Sequence, residues 1–119
     1  MQNYFFDTYA LVELVKSSPN YTRYAEEIVT TSILNLIELG YVIARDFNEA
    51  QAKIVIEKFK ACTIKIPDEV ILEAIKLKLR KKEMSYADCI GYCLAIKGNQ
   101  KFLTGDKHFK GLQYVEFVV

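Results

Sequence analysis

Short apolar segments alternate with longer segments of helical periodicity along the chain of 119 residues. The predicted strands, in chain order, are "NYFFD", "EIVTT", "CTIKI", "KFLT" and "YVEFVV". Helical segments separate the first four of them. Strands that are joined through helices usually pair in parallel, by right-handed crossovers. The alternation therefore predicts an α/β fold with a mostly parallel central sheet and helices on both faces.

Apolar residues at helical spacing predict which side of each helix faces the core. The helix that follows the second strand carries such a stripe, and so does the helix of residues 68–82. The predicted inward residues are Leu34, Ile37, Tyr41 and Ala44 in the first of these helices, and Leu72, Ile75 and Leu79 in the second.

Composition excludes several classes of protein. The formal net charge is +1, so no global field attracts nucleic acid or membrane. The first apolar run, residues 4–6, is interrupted by Asp7 and predicts neither a signal peptide nor a membrane span. Three cysteines without a CxxC motif and a single histidine argue against disulfides and structural zinc. We expect one domain over residues 1–119, in the cytoplasm.

Two predicted strands a hundred residues apart each end close to an acid. Asp7 follows the first strand, and Asp106 follows "KFLT". The carboxyl ends of parallel strands meet at one edge of a sheet, where functional groups gather. Glu38 lies at the margin of a predicted buried helix face, and Asp88 lies near the start of the helix that precedes "KFLT". We expect these four carboxylates to approach one another.

Each acid also has a purely structural interpretation. Asp7 could cap the helix that follows it, and Asp106 could cap a short turn. Asp88 completes a pattern close to a capping box with Ser85. Glu38, taken alone, is typical of a solvated helix residue. Separately, none of the four acids indicates catalysis.

A cluster of all four acids is harder to explain by structure alone. Two carboxylates about 4 Å apart repel by roughly 4 kcal/mol at an effective dielectric constant near 20. Such a cluster persists when it holds a cation or keeps protons. Oxygen ligands without cysteine or histidine suit Mg²⁺ or Mn²⁺, and such ions promote attack of water on phosphorus.

Four motifs in this order make the chain resemble the PIN-domain nucleases, among them the small VapC-type toxins and their archaeal relatives. The motifs are "FFDT", "TTSILNLIEL", "SYADCIGYCLAI" and "FLTGDKHF". The resemblance implies a sheet of strand order 3-2-1-4-5 and an endoribonuclease that depends on Mg²⁺ or Mn²⁺. The family's acids correspond to Asp7, Glu38, Asp88 and Asp106. The first three would bind the principal ion, and Asp106 would place a second ion or the attacking water.

The resemblance also implies supporting residues and partners. Thr8, Asn35 and Thr104 occupy positions where the family often has polar residues beside the acids. The implied partners are an RNA substrate, a second copy of the chain and a small antitoxin protein. Lys107 and Lys110 adjoin Asp106 and are candidates for phosphate contacts.

Two other functions stay open at this point. A binding module for RNA or protein could keep the fold without turnover, and housekeeping RNA processing could replace a toxin's role. A flavodoxin-like receiver domain is more distant. It would require a pair of adjacent acids early in the chain, where "FFD" offers Asp7 alone.

Overall fold

Four short parallel strands form the centre of the structure, a computed structural model that describes residues 3–119. The strands are β1 (Tyr4–Phe6), β2 (Val29–Thr30), β3 (Lys101–Thr104) and β4 (Val115–Phe117). Their order across the sheet is β2-β1-β3-β4, and all three pairings are parallel. The predicted α/β fold with a mostly parallel central sheet is therefore confirmed.

The predicted strand "CTIKI" is reduced to one bridge, so the sheet has four strands rather than five. Thr63 pairs in parallel with Thr31, just beyond the end of β2. The segment thus lies outside β2, where the strand order 3-2-1-4-5 places it. A 3₁₀ turn occupies Lys60–Cys62, and Pro67 is the N-cap of the next helix. Only residues 63–66 remain extended, which leaves little length for a strand.

Five α-helices surround the sheet in the described part of the chain. They are α1 (Thr8–Val15), α2 (Ile33–Asp46), α3 (Glu49–Phe59), α4 (Asp68–Arg80) and α5 (Tyr86–Lys97). Further 3₁₀ turns span Pro19–Tyr24 and Lys107–Phe109. None of the helices within residues 3–119 has the length and apolarity that crossing a membrane requires.

Two apolar clusters cover the two faces of the sheet, because successive side chains of a strand point in opposite directions. Phe6 and Leu103 are register partners and lie in the cluster built with α1, α2 and α3. Phe5 and Phe102 are also partners, stack with ring centroids 5.9 Å apart, and lie in the cluster built with α4 and α5. The structure therefore has three layers, and the sheet is the middle one.

The predicted inward stripe of α2 is partly wrong. Ile37 and Tyr41 are 60% and 65% exposed, while Leu36, Leu39 and Ile43 are buried. Apolar residues occur almost all around this helix, so its sequence contains two stripes of helical spacing. Packing against α1 and α3 selects the second of them.

The predicted stripe of α4 is wrong for the same reason. All three of its predicted inward residues are largely exposed, and a second stripe of smaller residues is buried. Leu72, Ile75 and Leu79 are the exposed residues, and Val70, Ala74 and Leu77 are the buried ones. One face of α4 therefore presents large apolar side chains to the outside.

Candidate active site

One cavity of about 440 Å³ at the carboxyl edge of the sheet brings the predicted acids together. Asp7, Glu38, Asp88 and Asp106 all line it. They come from four separate places in the fold: the end of β1, the middle of α2, the first turn of α5 and the loop after β3. Parallel pairing puts the ends of β1 and β3 side by side, so chain segments distant in sequence meet here.

Asp7 lies at the bottom of the cavity and is only 1% exposed. It is the N-cap of α1, and its Oδ1 accepts a hydrogen bond of 2.9 Å from the amide of Ala10. Burial raises the pKa of Asp7 to about 8, and the carboxylates of Asp88 and Asp106 add to the rise. The Thr104 hydroxyl and the Ala10 amide oppose it. Asp7 therefore holds a proton at neutral pH when no counter-charge is near.

Asp88 forms a complete capping box with Ser85. The Asp88 amide donates to Oγ of Ser85, and the Ser85 amide donates to Oδ2 of Asp88, both at 3.0 Å. Burial is the largest influence on this carboxyl and raises its pKa, and the charges of Asp106 and Glu38 act in the same direction. Asp88 is thus fixed in orientation while its negative charge is disfavoured.

A chain of hydrogen bonds orients Glu38. The Ser32 hydroxyl donates to Oδ1 of Asn35 at 2.7 Å, and Nδ2 of Asn35 donates to the Thr8 hydroxyl at 3.2 Å. The Thr8 hydroxyl in turn donates to Oε1 of Glu38 at 2.6 Å. Ser32 and Asn35 are buried, so these bonds are shielded from water. Ser32 was not among the predicted site residues, although a serine three residues before Asn35 at a helix start is a recognisable capping signal.

Asp106 enters the cavity from the loop after β3. Its amide donates to Oγ1 of Thr104 at 3.0 Å, and its Oδ1 accepts from the amide of His108 at 3.0 Å. The His108 ring lies 2.9 Å from the same oxygen. Gly105 permits this path, because a Cβ there would lie 2.2 Å from the ring of Tyr9. Asp106, like Asp7 and Asp88, therefore both caps a helix or turn and faces the cavity.

A second end of the cavity holds two cations and was not predicted from the sequence. Lys16 and Arg45 line it together with Asp46, which pairs with both cations. Lys107 and Lys110, the predicted phosphate contacts, are exposed and are not among the residues that line this cavity. No local motif marks Lys16 or Arg45, because each lies at the end of a helix where a solvated cation is ordinary.

The family model described as PIN domain matches residues 4–113. The chain belongs to the PIN-domain family. The match covers nearly all of the chain and all four acidic positions, as the sequence motifs indicate. None of the curated proteins compared with the chain matches it.

Several solved structures share this PIN-domain fold. The Mycobacterium tuberculosis toxin VapC20, described as cleaving the sarcin-ricin loop, has a TM-score of 0.81 at 17% identity, with 98% of this chain and 100% of that one covered. A toxin-antitoxin complex from Klebsiella pneumoniae has a TM-score of 0.74 at 19% identity, with 96% of both chains covered. VapBC2 from Rickettsia felis, bound to a promoter DNA fragment, gives 0.73 at 17%, covering 99% and 100%. At these identities the likeness concerns the fold.

The donor atoms of this PIN-domain site fit a hard divalent cation. All four side chains offer carboxylate oxygens, which Mg²⁺ and Mn²⁺ prefer. Burial, with a smaller contribution from neighbouring carboxylates, raises the pKa values of Asp7 and Asp88, so a bound cation would favour their charged forms. Within residues 3–119, however, no three acidic, histidine or cysteine side chains are arranged as they stand to hold one ion. The carboxylate oxygens suit a divalent metal ion, but in this structure the four side chains are not close enough together to be ligands of one ion.

Proposed function

We propose that the chain is a metal-dependent endoribonuclease that cleaves RNA phosphodiester bonds, as the toxin of a type II toxin-antitoxin pair. The observation that carries the proposal is the convergence of four carboxylates from four elements on one cavity. Capping explains three of these acids singly, but it does not require them to face the same space. We place the protein in the cytoplasm, where RNA is available.

Asp7, Glu38, Asp88 and Asp106 would hold Mg²⁺ or Mn²⁺, whose charge would offset their mutual repulsion. When bound, such an ion supplies positive charge to the phosphate in the transition state and activates water for attack. In the metal-free protein the pKa of Asp7 is about 8. Asp7 must therefore lose its proton when a metal ion binds. We therefore expect metal affinity to rise between pH 6 and pH 8.

The chain's own residues would set the positions of the reacting groups. The hydrogen bonds from Ser32 through Thr8 hold Glu38 in one orientation, and the capping box does the same for Asp88. Asp106 is the last of the four acids in the sequence and lies in the loop after β3, where its carboxylate accepts a hydrogen bond from the His108 amide. We assign it to the attacking water or to a second ion. Side chains fixed in this way lower the cost of assembling the site.

The wider spacing of the acids favours one alternative, a binding module for RNA or protein that keeps the fold without turnover. Cleavage separates the two. Purified protein should cut single-stranded RNA with Mg²⁺ or Mn²⁺ and stop in EDTA, and Asp7→Asn and Asp88→Asn should each abolish cutting. Asp68→Asn is the matched control, since Asp68 is also an acid in the first turn of a helix but lies outside the cavity.

Two results would count against the nuclease. Cutting that persists unchanged in Asp7→Asn would indicate a contaminating enzyme. No cutting by the wild type, across structured and unstructured RNAs with either metal, would favour the binding module. Calorimetric titration with Mn²⁺ gives a second readout, since the heat of binding should disappear in Asp7→Asn and persist in Asp68→Asn.

We also propose a homodimer and a small antitoxin protein as partners. Both are expected from the family, and the related structure from Klebsiella pneumoniae is described as a toxin-antitoxin complex. The exposed apolar side chains of α4 support an interface on this chain, because solvated helix faces are normally polar. Co-purification with the product of a neighbouring short reading frame would test the antitoxin.

A further inference from the structure

The cavity is a groove between two helices that run side by side in the same direction. Thr8 contacts Glu38 at one end of the groove, and Lys16 lies 4.0 Å from Asp46 at the other. The partners are 30 residues apart in both contacts, so α1 and α2 stay in register along the groove. Eight residues of helix correspond to about 12 Å. Val12 and Val42 line the groove between the two ends.

Charge is distributed unevenly along this groove. The carboxylates of Asp7, Glu38, Asp88 and Asp106 all lie toward the start of α1. The other end holds two cations together with the carboxylate of Asp46, and Glu13 also lines the groove. Lys16 is the C-cap of α1, and Arg45 lies in the last turn of α2.

Two neighbouring side chains contact the Arg45 guanidinium. Its Nε and Nη2 donate to the two carboxylate oxygens of Asp46 at 2.8 and 3.3 Å. Its guanidinium also lies 5.7 Å from the centre of the Tyr41 ring. The planar donors of arginine match a phosphate as well as they match a carboxylate. The Asp46 carboxylate therefore accepts the same two hydrogen bonds from Arg45 that a phosphate group would accept.

We propose that Lys16 and Arg45 form a phosphate-binding subsite that holds the RNA backbone a few nucleotides from the cut. The proposal rests on the nuclease function, because the acidic end defines where the strand is cleaved. At about 3.4 Å per nucleotide along a stacked strand, 12 Å corresponds to three or four nucleotides, and to fewer in an extended strand.

A purely structural role explains these residues less well. Exposed ion pairs contribute little to stability, and the Lys16 and Arg45 side chains are 43% and 55% exposed. Both nevertheless converge on one carboxylate at the mouth of the same groove. Lys110, by contrast, has its ammonium 5.8 Å from the Phe117 ring and lies outside the groove.

A substitution of Asp46 tests the proposal, because the proposal predicts tighter RNA binding when this side chain is neutralised. If a phosphate takes the place of the Asp46 carboxylate, removing that carboxylate should free both cations and strengthen RNA binding. A structural ion pair predicts no effect on RNA. The matched control is Glu69→Gln, because Glu69 also pairs with a lysine, Lys97 at 2.7 Å, on another part of the surface. Lys97→Ala likewise matches Lys16→Ala, since the two lysines are 48% and 43% exposed.

The experiment measures binding of a fluorescein-labelled single-stranded RNA by anisotropy in EDTA, which keeps the RNA intact. Lys16→Ala and Arg45→Ala should each weaken binding about two- to fivefold and lower the salt slope by about 0.7. Asp46→Asn should tighten binding by a similar factor. Those three substitutions are the groove variants. The control substitutions Lys97→Ala and Glu69→Gln should change the dissociation constant by less than the groove variants do.

The proposal is overturned if the groove variants behave like their controls, or if wild-type protein does not bind RNA. Cleavage with Mn²⁺ is followed in parallel on the same proteins. Binding that depends on Lys16 and Arg45 without cleavage would remove the nuclease and keep the subsite. Cleavage by the wild type with unchanged binding in the variants would keep the nuclease and remove the subsite.

Discussion

Asp7 meets two opposing demands at once. As an N-cap it accepts a hydrogen bond from Ala10, an interaction that favours the charged carboxylate. Its burial disfavours that charge and dominates, so the pKa rises to about 8. A residue that only capped a helix would be better placed nearer to water. The cost of burying Asp7 suggests that its charge is used when a cation is present.

The stability of the metal-free protein should fall as pH rises from about 4 to 8. Over this window folded Asp7 keeps a proton that the unfolded chain, with a pKa near 3.8, has released. Each unit of pKa difference corresponds to about 1.4 kcal/mol. Asp7→Asn stays neutral and keeps the capping acceptor, so it should melt higher than the wild type at pH 8 in EDTA.

Thermal unfolding in EDTA between pH 5 and pH 8 measures this effect. Asp68→Asn is the control and should keep the pH dependence of the wild type. If the stability of Asp7→Asn fell with pH as steeply as that of the wild type, burial of Asp7 would not be the cause of the pH dependence. Added Mn²⁺ should raise the melting temperature of the wild type at pH 8 and leave that of Asp7→Asn unchanged.

Thr8 should matter for activity far more than for stability. Its hydroxyl is the link that passes orientation from Asn35 to Glu38. Thr8→Val keeps the shape and removes the link, and we expect cleavage to fall about 10- to 100-fold, as when other partners of metal ligands are removed. Thr8→Ser keeps a hydroxyl and should retain most activity. Equal activity in the two variants, measured as kcat on one RNA, would show that the link is unimportant.

At the scale of the elements, sequence periodicity predicted where helices lie better than how they face. Helical periodicity predicts helices in residues 8–18, 32–45, 48–60, 68–82 and 85–98, and each of the five α-helices coincides with one of them. The inward faces of α2 and α4 were predicted wrongly, because both helices have two apolar stripes and only tertiary packing selects one. The segment "SSPNYTRYAEE" predicts a helix with Ser18 as its cap, but the structure has a 3₁₀ helix at Pro19–Tyr24, and the Ser18 hydroxyl bonds to Glu13 instead of capping.

The turn between α4 and α5 should depend on Lys78. Its Nζ donates to the carbonyls of Met84 at 2.7 Å and Lys82 at 3.1 Å, just before the capping box of Asp88 begins. Lys78→Met keeps the apolar stem and loses both bonds, so unfolding in urea should show a loss of about 1–2 kcal/mol. Lys76→Met, on the same helix, removes only an exposed pair with Glu73 and should cost less. Equal losses would deny Lys78 this role.

At the scale of the whole molecule, the acidic end of the groove was predictable and the end that holds Lys16 and Arg45 was not. Asp7 and Asp106 follow strands, and parallel strands bring their ends to one edge, so the sequence order alone suggests their approach. Lys16 and Arg45 meet because α1 and α2 run in register, which depends on packing between two helices. The sequence contains no signal for that register.

The outer face of α4 should be covered by a second copy of the chain. Leu72, Ile75 and Leu79 recur at helical spacing and are 57%, 48% and 69% exposed. Beside them lies a cavity of about 380 Å³ with an almost entirely apolar lining, to which Ile75 contributes. Large apolar patches of this kind mark interaction surfaces, and the family predicts a homodimer.

The double substitution Leu72→Glu and Leu79→Glu should therefore turn a dimer into a monomer. Glutamate forms helices almost as well as leucine, and surface substitutions usually change stability by about 0.5 kcal/mol or less, so the monomer should stay folded. Sedimentation of the wild type and the variant measures the state directly. Ile54→Glu is the control, since Ile54 is 57% exposed on α3. A monomeric wild type, or a variant that remains dimeric, would contradict this assignment. If the wild type is a monomer that binds the antitoxin through α4, the outer face of α4 is the antitoxin interface instead.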